Sequence, residues 1–294
     1  MSKKRQLLLT IDWEDWFHLC DIEPYSLVKA WPTFGFRIEQ NTRRTLALLR
    51  KHNAHATFFV IGALAELFPH LIHEIAAEGH ELAWHGTTHH TWSGLSHEHL
   101  MEEWFEGLNR FRQKFNCNVQ GFRAPMWSLT EPLLREFQNR LKEEGLSYDS
   151  SLVPLAVVGN TAYPRTPTRI GDLVELPPTI VTFFGIAAPV SMSWGFRWLP
   201  GWYVKWMNSR FARKNDYLML AIHPWELDPD QPKLPVGGGL YFTHYAGLRN
   251  TERRLEWFLE RFQAIGCSAW LDQQKEKPAS YPEFALRSPK QVKE

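Results

Sequence analysis

Short β-rich runs alternate with helical stretches through the first 150 residues, and this rhythm constrains the fold more than any other feature of the chain. Leu7–Ile11 reads as a strand, followed by Arg37–His52, where Ile38, Thr42, Leu46 and Leu49 recur at helical spacing and Asn53 marks a stop. Ala56–Ile61 (ATFFVI) is aromatic, β-branched and almost wholly apolar, as befits a strand buried on both faces. Leu64–Glu78 then reads as a helix ending at Gly79, Glu81–Trp84 as a strand, His97–Phe115 as a helix, Val119–Phe122 as a strand and Glu131–Glu144 as a helix ending at Gly145. This alternation predicts an α/β fold with a parallel sheet or barrel.

After Pro154 the rhythm breaks. Residues 154–215 are rich in Pro, Gly and Trp, and periodicity predicts little there beyond a strand at Leu173–Leu176. Regularity returns with a strand at Tyr217–Ile222, a helix at Asn250–Ala264 and a last strand at Ser268–Leu271. The expected organisation is one domain over residues 1–272 with an aromatic-rich insertion at 154–215, then a polar, loosely held tail over 273–294.

Composition excludes several classes. Lys plus Arg number 33 against 32 Asp plus Glu, a net charge of +1, so no overall electrostatic footprint for nucleic acid or an anionic membrane exists. Cys20, Cys117 and Cys267 form no CxxC pair, which excludes a disulfide framework or a cysteine zinc knuckle. The apolar run after Lys3-Lys4-Arg5 ends at Asp12, shorter than the roughly 7–15 residues of a signal core, so a cytoplasmic protein is expected. No transmembrane segment is expected; the uncharged aromatic stretch 176–196 is a candidate for peripheral contact with a membrane. The 14 Trp and 13 His point instead to a catalytic site with a stacking groove.

Parallel α/β sheets carry their chemistry at the carboxyl ends of the strands. Here those ends read Asp12-Trp13-Glu14-Asp15, His85-Gly86-Thr87-Thr88-His89, Arg123-Ala124-Pro125-Met126-Trp127, Tyr148-Asp149-Ser150 and His223-Pro224-Trp225. Taken singly each is weak, since about half a His-x3-His pair is expected by chance at this histidine content. Asp12–Asp15 can be a solvated acidic loop, His223 a core histidine, Arg123 a surface ion pair and Asp149 a turn residue. Coincidence at all five strand ends is hard to sustain. Two histidines and one carboxylate leave coordination positions open for water, the pattern of a hydrolytic metal site.

These motifs, in this order, resemble the NodB-type polysaccharide deacetylases, carbohydrate esterase family 4: Asp12 at a strand end, His85-x3-His89, Arg123-x-Pro125-x-Trp127, Asp149-x-Ser151-Leu152 and Leu220-x-x-His223. DWEDWFH, HPWELDPDQP at 223–232 and residues 244–262 are similar to the subfamily of exosortase-associated exopolysaccharide clusters. The resemblance implies a distorted (β/α) barrel of about seven parallel strands and a metal-dependent N-deacetylase of a saccharide. It implies a divalent ion, zinc first, with cobalt, nickel or manganese as alternatives, held by His85, His89 and one carboxylate. Asp12 becomes the base, oriented by Arg123; His223 becomes the acid, hydrogen-bonded by Asp149. Trp127 and Pro125 fall to substrate binding. The family's adjacent aspartate pair is interrupted here by Trp13, so the carboxylate ligand is Asp15, which is favoured, or Glu14, which alternation in an extended segment puts on the side of Asp12. Hydrolysis of another linear or cyclic amide on the same barrel and non-catalytic carbohydrate binding are the alternative functions.

Overall fold

The computed structural model describes residues 4–19, 22–92, 95–275 and 281–286. Its strands are β1 Arg5–Trp13, β2 Thr57–Val60, β3 Glu81–Trp84, β4 Gly121–Phe122, β5 Tyr148–Asp149, β6 Thr168–Ile170, β7 Leu173–Glu175, β8 Val181–Phe183, β9 Ile186–Ala188, β10 Met219–Ile222 and β11 Phe262–Ile265. Seven of them run parallel in the order β10-β1-β2-β3-β4-β5-β7, with β6 antiparallel on the edge of β7 and β11 parallel to the start of β1. This curled, mostly parallel sheet is the distorted barrel that the resemblance implied. The seam between β7 and β10 is bridged by the intervening chain, where Met219 N–H donates to Thr179 Oγ1 (2.9 Å) and Ala221 N–H to the Ser191 carbonyl (2.9 Å).

Strand alternation in β1 separates two cores. Leu7, Leu9, Ile11 and Trp13 belong to the large cluster packed beneath the helices. Leu8 belongs to the cluster that also holds Phe59, Ala83, Tyr148, Val174 and Met219. Asp12 shares the parity of Leu8 and Thr10, so the end of β1 delivers a carboxylate to the mouth of the barrel instead of to the helical layer.

The helices follow the predicted segments with instructive exceptions. Leu64–Glu78 is two helices, Gly62–Leu67 and Pro69–Ala77, because Pro69 lacks an amide proton and pushes Phe68 out of helical geometry (φ −128, ψ 57). The last helix before β11 stops at Arg261, and Ser268–Leu271 lies within the helix Cys267–Lys275 instead of a strand. Phe262 continues the apolar spacing of Leu255 and Phe258, so periodicity alone could not separate a short strand from the helix before it. Residues 154–215 are more regular than expected, with a β8–β9 hairpin turning at Phe184 (φ 47) and Gly185 (φ 78) and helices Ser193–Trp198 and Gly201–Lys214. Residues 273–275 continue the helix, and Arg169 N–H donates to the Pro282 carbonyl while Phe284 N–H donates to that of Arg169. Residues 276–280 and 287–294 lie outside the described residues, as does Cys20; Cys117 and Cys267 are free thiols. Among the described residues no helix is long and apolar enough to cross a membrane.

Candidate metal centre and catalytic cleft

β1 ends in a tight turn in which Glu14 N–H donates to the Asp12 carbonyl (2.9 Å). Trp13 points the other way, its indole N–H bound to Thr42 Oγ1 (2.8 Å) in the outer core, so Asp12 and Glu14 emerge on the same side. Glu14 Oε1 lies 3.2 Å from His85 Nε2 and 2.9 Å from His89 Nε2, with all three side chains buried. Asp15, the favoured ligand on sequence, is elsewhere. Its carboxylate accepts the amides of Trp16 (2.8 Å), Arg37 (2.9 Å) and Ile38 (3.1 Å) and so serves the start of the helix Ile38–Lys51. Burial raises its pKa to about 6, against the pull of those amides. Asp15→Ala should therefore lower stability by about 1–2 kcal/mol in urea unfolding and leave metal content unchanged.

The histidine loop is shaped by its glycine and by a helix below. Gly86 follows His85 at φ +83, a conformation that side chains disfavour, and it lets the chain return to present His89. Thr88 N–H donates to Glu103 Oε1 (2.6 Å) from the π-helical segment Met101–Glu106. Close packing depends on Gly107, where a Cβ would collide with Thr87 Oγ1.

This donor set fits a divalent ion. His85 Nδ1–H donates to the Arg123 carbonyl (2.7 Å), so whenever that ring is neutral its Nε2 turns a lone pair to a carboxylate oxygen. Two acceptors in contact need a cation or a proton between them. The spacings also suit one, since a tetrahedral ion with bonds of about 2.0–2.2 Å has ligand edges of about 3.4 Å. Burial alone would raise the Glu14 pKa, but His89, His223 and His85 outweigh it and hold the carboxyl well below its ordinary range. A second cluster, Asp12, Glu14 and His223, shares Glu14. It suits a metal less well, because Asp12 is engaged by Arg123 and His223 holds its proton.

Arg123 lies inside the barrel. Its Nη1 donates to Asp12 Oδ1 (2.5 Å), Nη2 to Thr10 Oγ1 (3.1 Å) and Ser150 Oγ (2.8 Å), Nε to the Ser150 carbonyl (3.0 Å), and the guanidinium covers the Phe59 ring at 4.2 Å. Across the mouth, His223 Nε2 lies 3.8 Å from Asp12 Oδ2. Its Nδ1 meets Glu226 Oε1 at 2.6 Å, and Glu226 Oε2 pairs with Arg197 Nε at 3.0 Å, both side chains buried. Pro224–Leu227 forms a 3-10 helix with His223 as its cap, and at three residues per turn Glu226 comes back beneath the imidazole. Burial works against the imidazolium, yet Glu14, Glu226 and Asp12 prevail and raise the His223 pKa to about 9.

Asp149 does not reach His223. Its carboxyl accepts from Ser151 Oγ and sits beside Glu175 inside the barrel, and burial raises it to about 6. The position expected of it is taken by Glu226, which sequence reasoning missed although it lies in a quoted segment. The usable signal was the spacing His-Pro-x-Glu, a 3-10 turn that overlays residues three apart. Arg197, in the insertion, gave no sequence signal. Neither did His18, which accepts the Asp15 amide at Nδ1 (2.9 Å), so its proton sits on Nε2 at the cleft wall.

A cavity of about 210 Å³ opens over Asp12, Glu14 and His223, walled by Trp127, Leu155, Met192, Trp194 and Trp225. Met126 (φ 53) and Trp127 (φ 51) are both left-handed, strain of the kind that clusters at functional sites. Pro125 does not line this cavity; it begins that turn and packs against Gly86. Trp225 stacks between His223 (5.0 Å) and His244 (4.2 Å).

Comparison with known proteins finds partial matches. The family model described as Polysaccharide deacetylase matches residues 28–143, and a Domain of unknown function (DUF3473) matches residues 150–272. A chitooligosaccharide deacetylase of Sinorhizobium fredii is 37% identical over 90 residues, 30% of this chain and 42% of that protein. A peptidoglycan-N-acetylglucosamine deacetylase of Bacillus cereus is 36% identical over 84 residues, 29% of this chain and 39% of that protein. The chain thus spans less than half the length of these curated relatives. A provisionally assigned polysaccharide deacetylase from Mycobacterium smegmatis superposes with TM-score 0.65 at 18% identity, covering 98% of this chain and 96% of that one. The PuuE allantoinase does so with TM-score 0.62 at 14% identity over 95% and 93%. At such identities the two structures speak to the fold alone, and the Polysaccharide deacetylase model covers residues 28–143, less than half of this chain.

Proposed function

We propose that this protein is a metal-dependent deacetylase that hydrolyses the acetamide of an N-acetylated saccharide, releasing acetate and a free amine. The convergence of Glu14, His85 and His89 beside an Asp12–Arg123 pair and a protonated His223 carries this reading. When bound there, a divalent ion supplies Lewis acidity to the acyl carbonyl and to the attacking water. Zinc is the first choice for a set of two imidazoles and one carboxylate, with cobalt, nickel and manganese as alternatives.

Asp12, fixed through Oδ1 by Arg123, takes the proton of the attacking water on Oδ2. His223, held at Nδ1 by Glu226, gives its Nε2 proton to the departing nitrogen as the C–N bond breaks. Acid and base stand 3.8 Å apart yet hold opposite charges, since guanidinium surrounds one and carboxylates the other. Trp127, Trp194 and Trp225 offer apolar faces to the sugar. The similarity of DWEDWFH, 223–232 and 244–262 to the exosortase-associated subfamily points to an exopolysaccharide or its precursor as the glycan.

Acetate release from N-acetylated oligosaccharides tests the reading. Turnover should vanish with a chelator and return on adding zinc or cobalt. Release from small linear or cyclic amides but not from sugars would move the activity to another C–N hydrolase, and binding without turnover to a carbohydrate-binding protein.

A further inference from the structure

Net charge near zero hides a strong segregation. Residues 176–215 contain no Asp or Glu, and neither do residues 231–251, although the chain carries 32 acids. Seven of the eleven exposed large apolar residues among those described fall in these two segments: Phe184, Ile186, Trp198, Trp202, Trp206, Tyr241 and Phe242. The helix Gly201–Lys214 buries Val204, Met207, Asn208 and Ala212, while Trp202, Trp206, Arg210 and Arg213 follow one another on its outer face. Trp202 is 70% exposed. A helix whose outer face pairs Trp with Arg and Lys has the arrangement of helices that lie in a bilayer interface.

The patch is continuous. The β8–β9 hairpin packs on that helix through Val181 and Ala188 around Met207. Trp198 meets Phe242 edge to face at 5.4 Å, and Phe242 and Tyr241 border an open groove flanked by Lys233 and Arg249. Trp194, 6.4 Å from Trp198, also walls the catalytic cavity, so the patch reaches its mouth.

We infer that this surface docks the protein on an anionic lipid bilayer, with Trp198, Trp202 and Phe242 at headgroup depth and Arg210, Arg213 and Lys214 facing lipid phosphates. Trp gains from an interface where one edge is apolar and the other wet, and the missing carboxylates remove the repulsion an anionic surface would exert. The cavity then opens beside the membrane, toward a saccharide held there. That last step rests on the deacetylase reading; the docking does not.

Flotation of the full chain with vesicles, without substrate, tests the docking. The protein should float with mixed phosphatidylcholine and phosphatidylglycerol vesicles and not with phosphatidylcholine alone. Trp198→Ala with Trp202→Ala, and separately Arg213→Gln with Lys214→Gln, should each lower partitioning about tenfold while unfolding stays cooperative. Absence of flotation with the anionic vesicles, flotation of both variants equal to that of the parent, or flotation of the parent with neutral vesicles equal to that with anionic ones would overturn it. So would capture by a soluble acidic polysaccharide without vesicle binding.

Discussion

On the proposed mechanism Asp12→Asn should keep a divalent ion and lose about 10³-fold in turnover, whereas Glu14→Gln should lose both ion and turnover. The split follows from where the two carboxylates point. Glu14 Oε1 stands between the two imidazoles, and a neutral amide there removes the negative donor of the set. Asp12 instead spends one oxygen on Arg123 and turns the other to the cleft. Asparagine preserves its shape, but stranding the buried guanidinium without a charge partner costs about 3–5 kcal/mol, so the folded state is checked by circular dichroism. Metal analysis of the purified proteins decides: an Asp12→Asn protein free of metal would make Asp12 a ligand, and a Glu14→Gln protein with full metal would remove Glu14 from the centre.

Glu226→Gln should narrow the pH profile from the alkaline side while KM stays near that of the parent. With its folded pKa raised to about 9, His223 in its proposed role as acid carries its proton below that value and loses it as pH rises through it. Removing the carboxylate on Nδ1 lowers that pKa, so kcat falls at a lower pH. Because the folded pKa lies above the roughly 6.5 of an unfolded imidazole, the linked stability is complete below that pH and disappears as pH rises through the folded value. His223→Ala should cost about 10²–10⁴-fold in kcat across the profile. A Glu226→Gln enzyme with an unmoved alkaline limb would reduce the pair to packing, and Glu226→Asp should restore part of the shift.

Much of the candidate site was legible because a parallel sheet places successive strand ends side by side. Asp12, the pair His85 and His89, Arg123 and His223 are far apart in the chain, yet each group begins at the end of a recognisable apolar run. Helix and strand types were legible where the pattern was strong, since β1 carries the apolar run Leu7-Leu8-Leu9 and the helix Ile38–Lys51 a clear apolar face. Errors arose where a local pattern was ambiguous. Phe262 prolongs a helical stripe and also begins a strand, and residues 193–214 hide two helices among Gly, Pro and Trp.

By itself the sequence determined the α/β class, the order of the motifs and the residue types that a hydrolytic metal site requires, since these depend on period and composition. Only the tertiary structure decided which carboxylate does what. Asp15 was drawn to the amides of Arg37 and Ile38, Asp149 to Ser151 and Glu175, and Glu226 to His223 and Arg197. A carboxylate's role is set by the proton donors and charges that folding brings within a few ångströms of it, and most of these come from parts of the chain that local spacing does not connect.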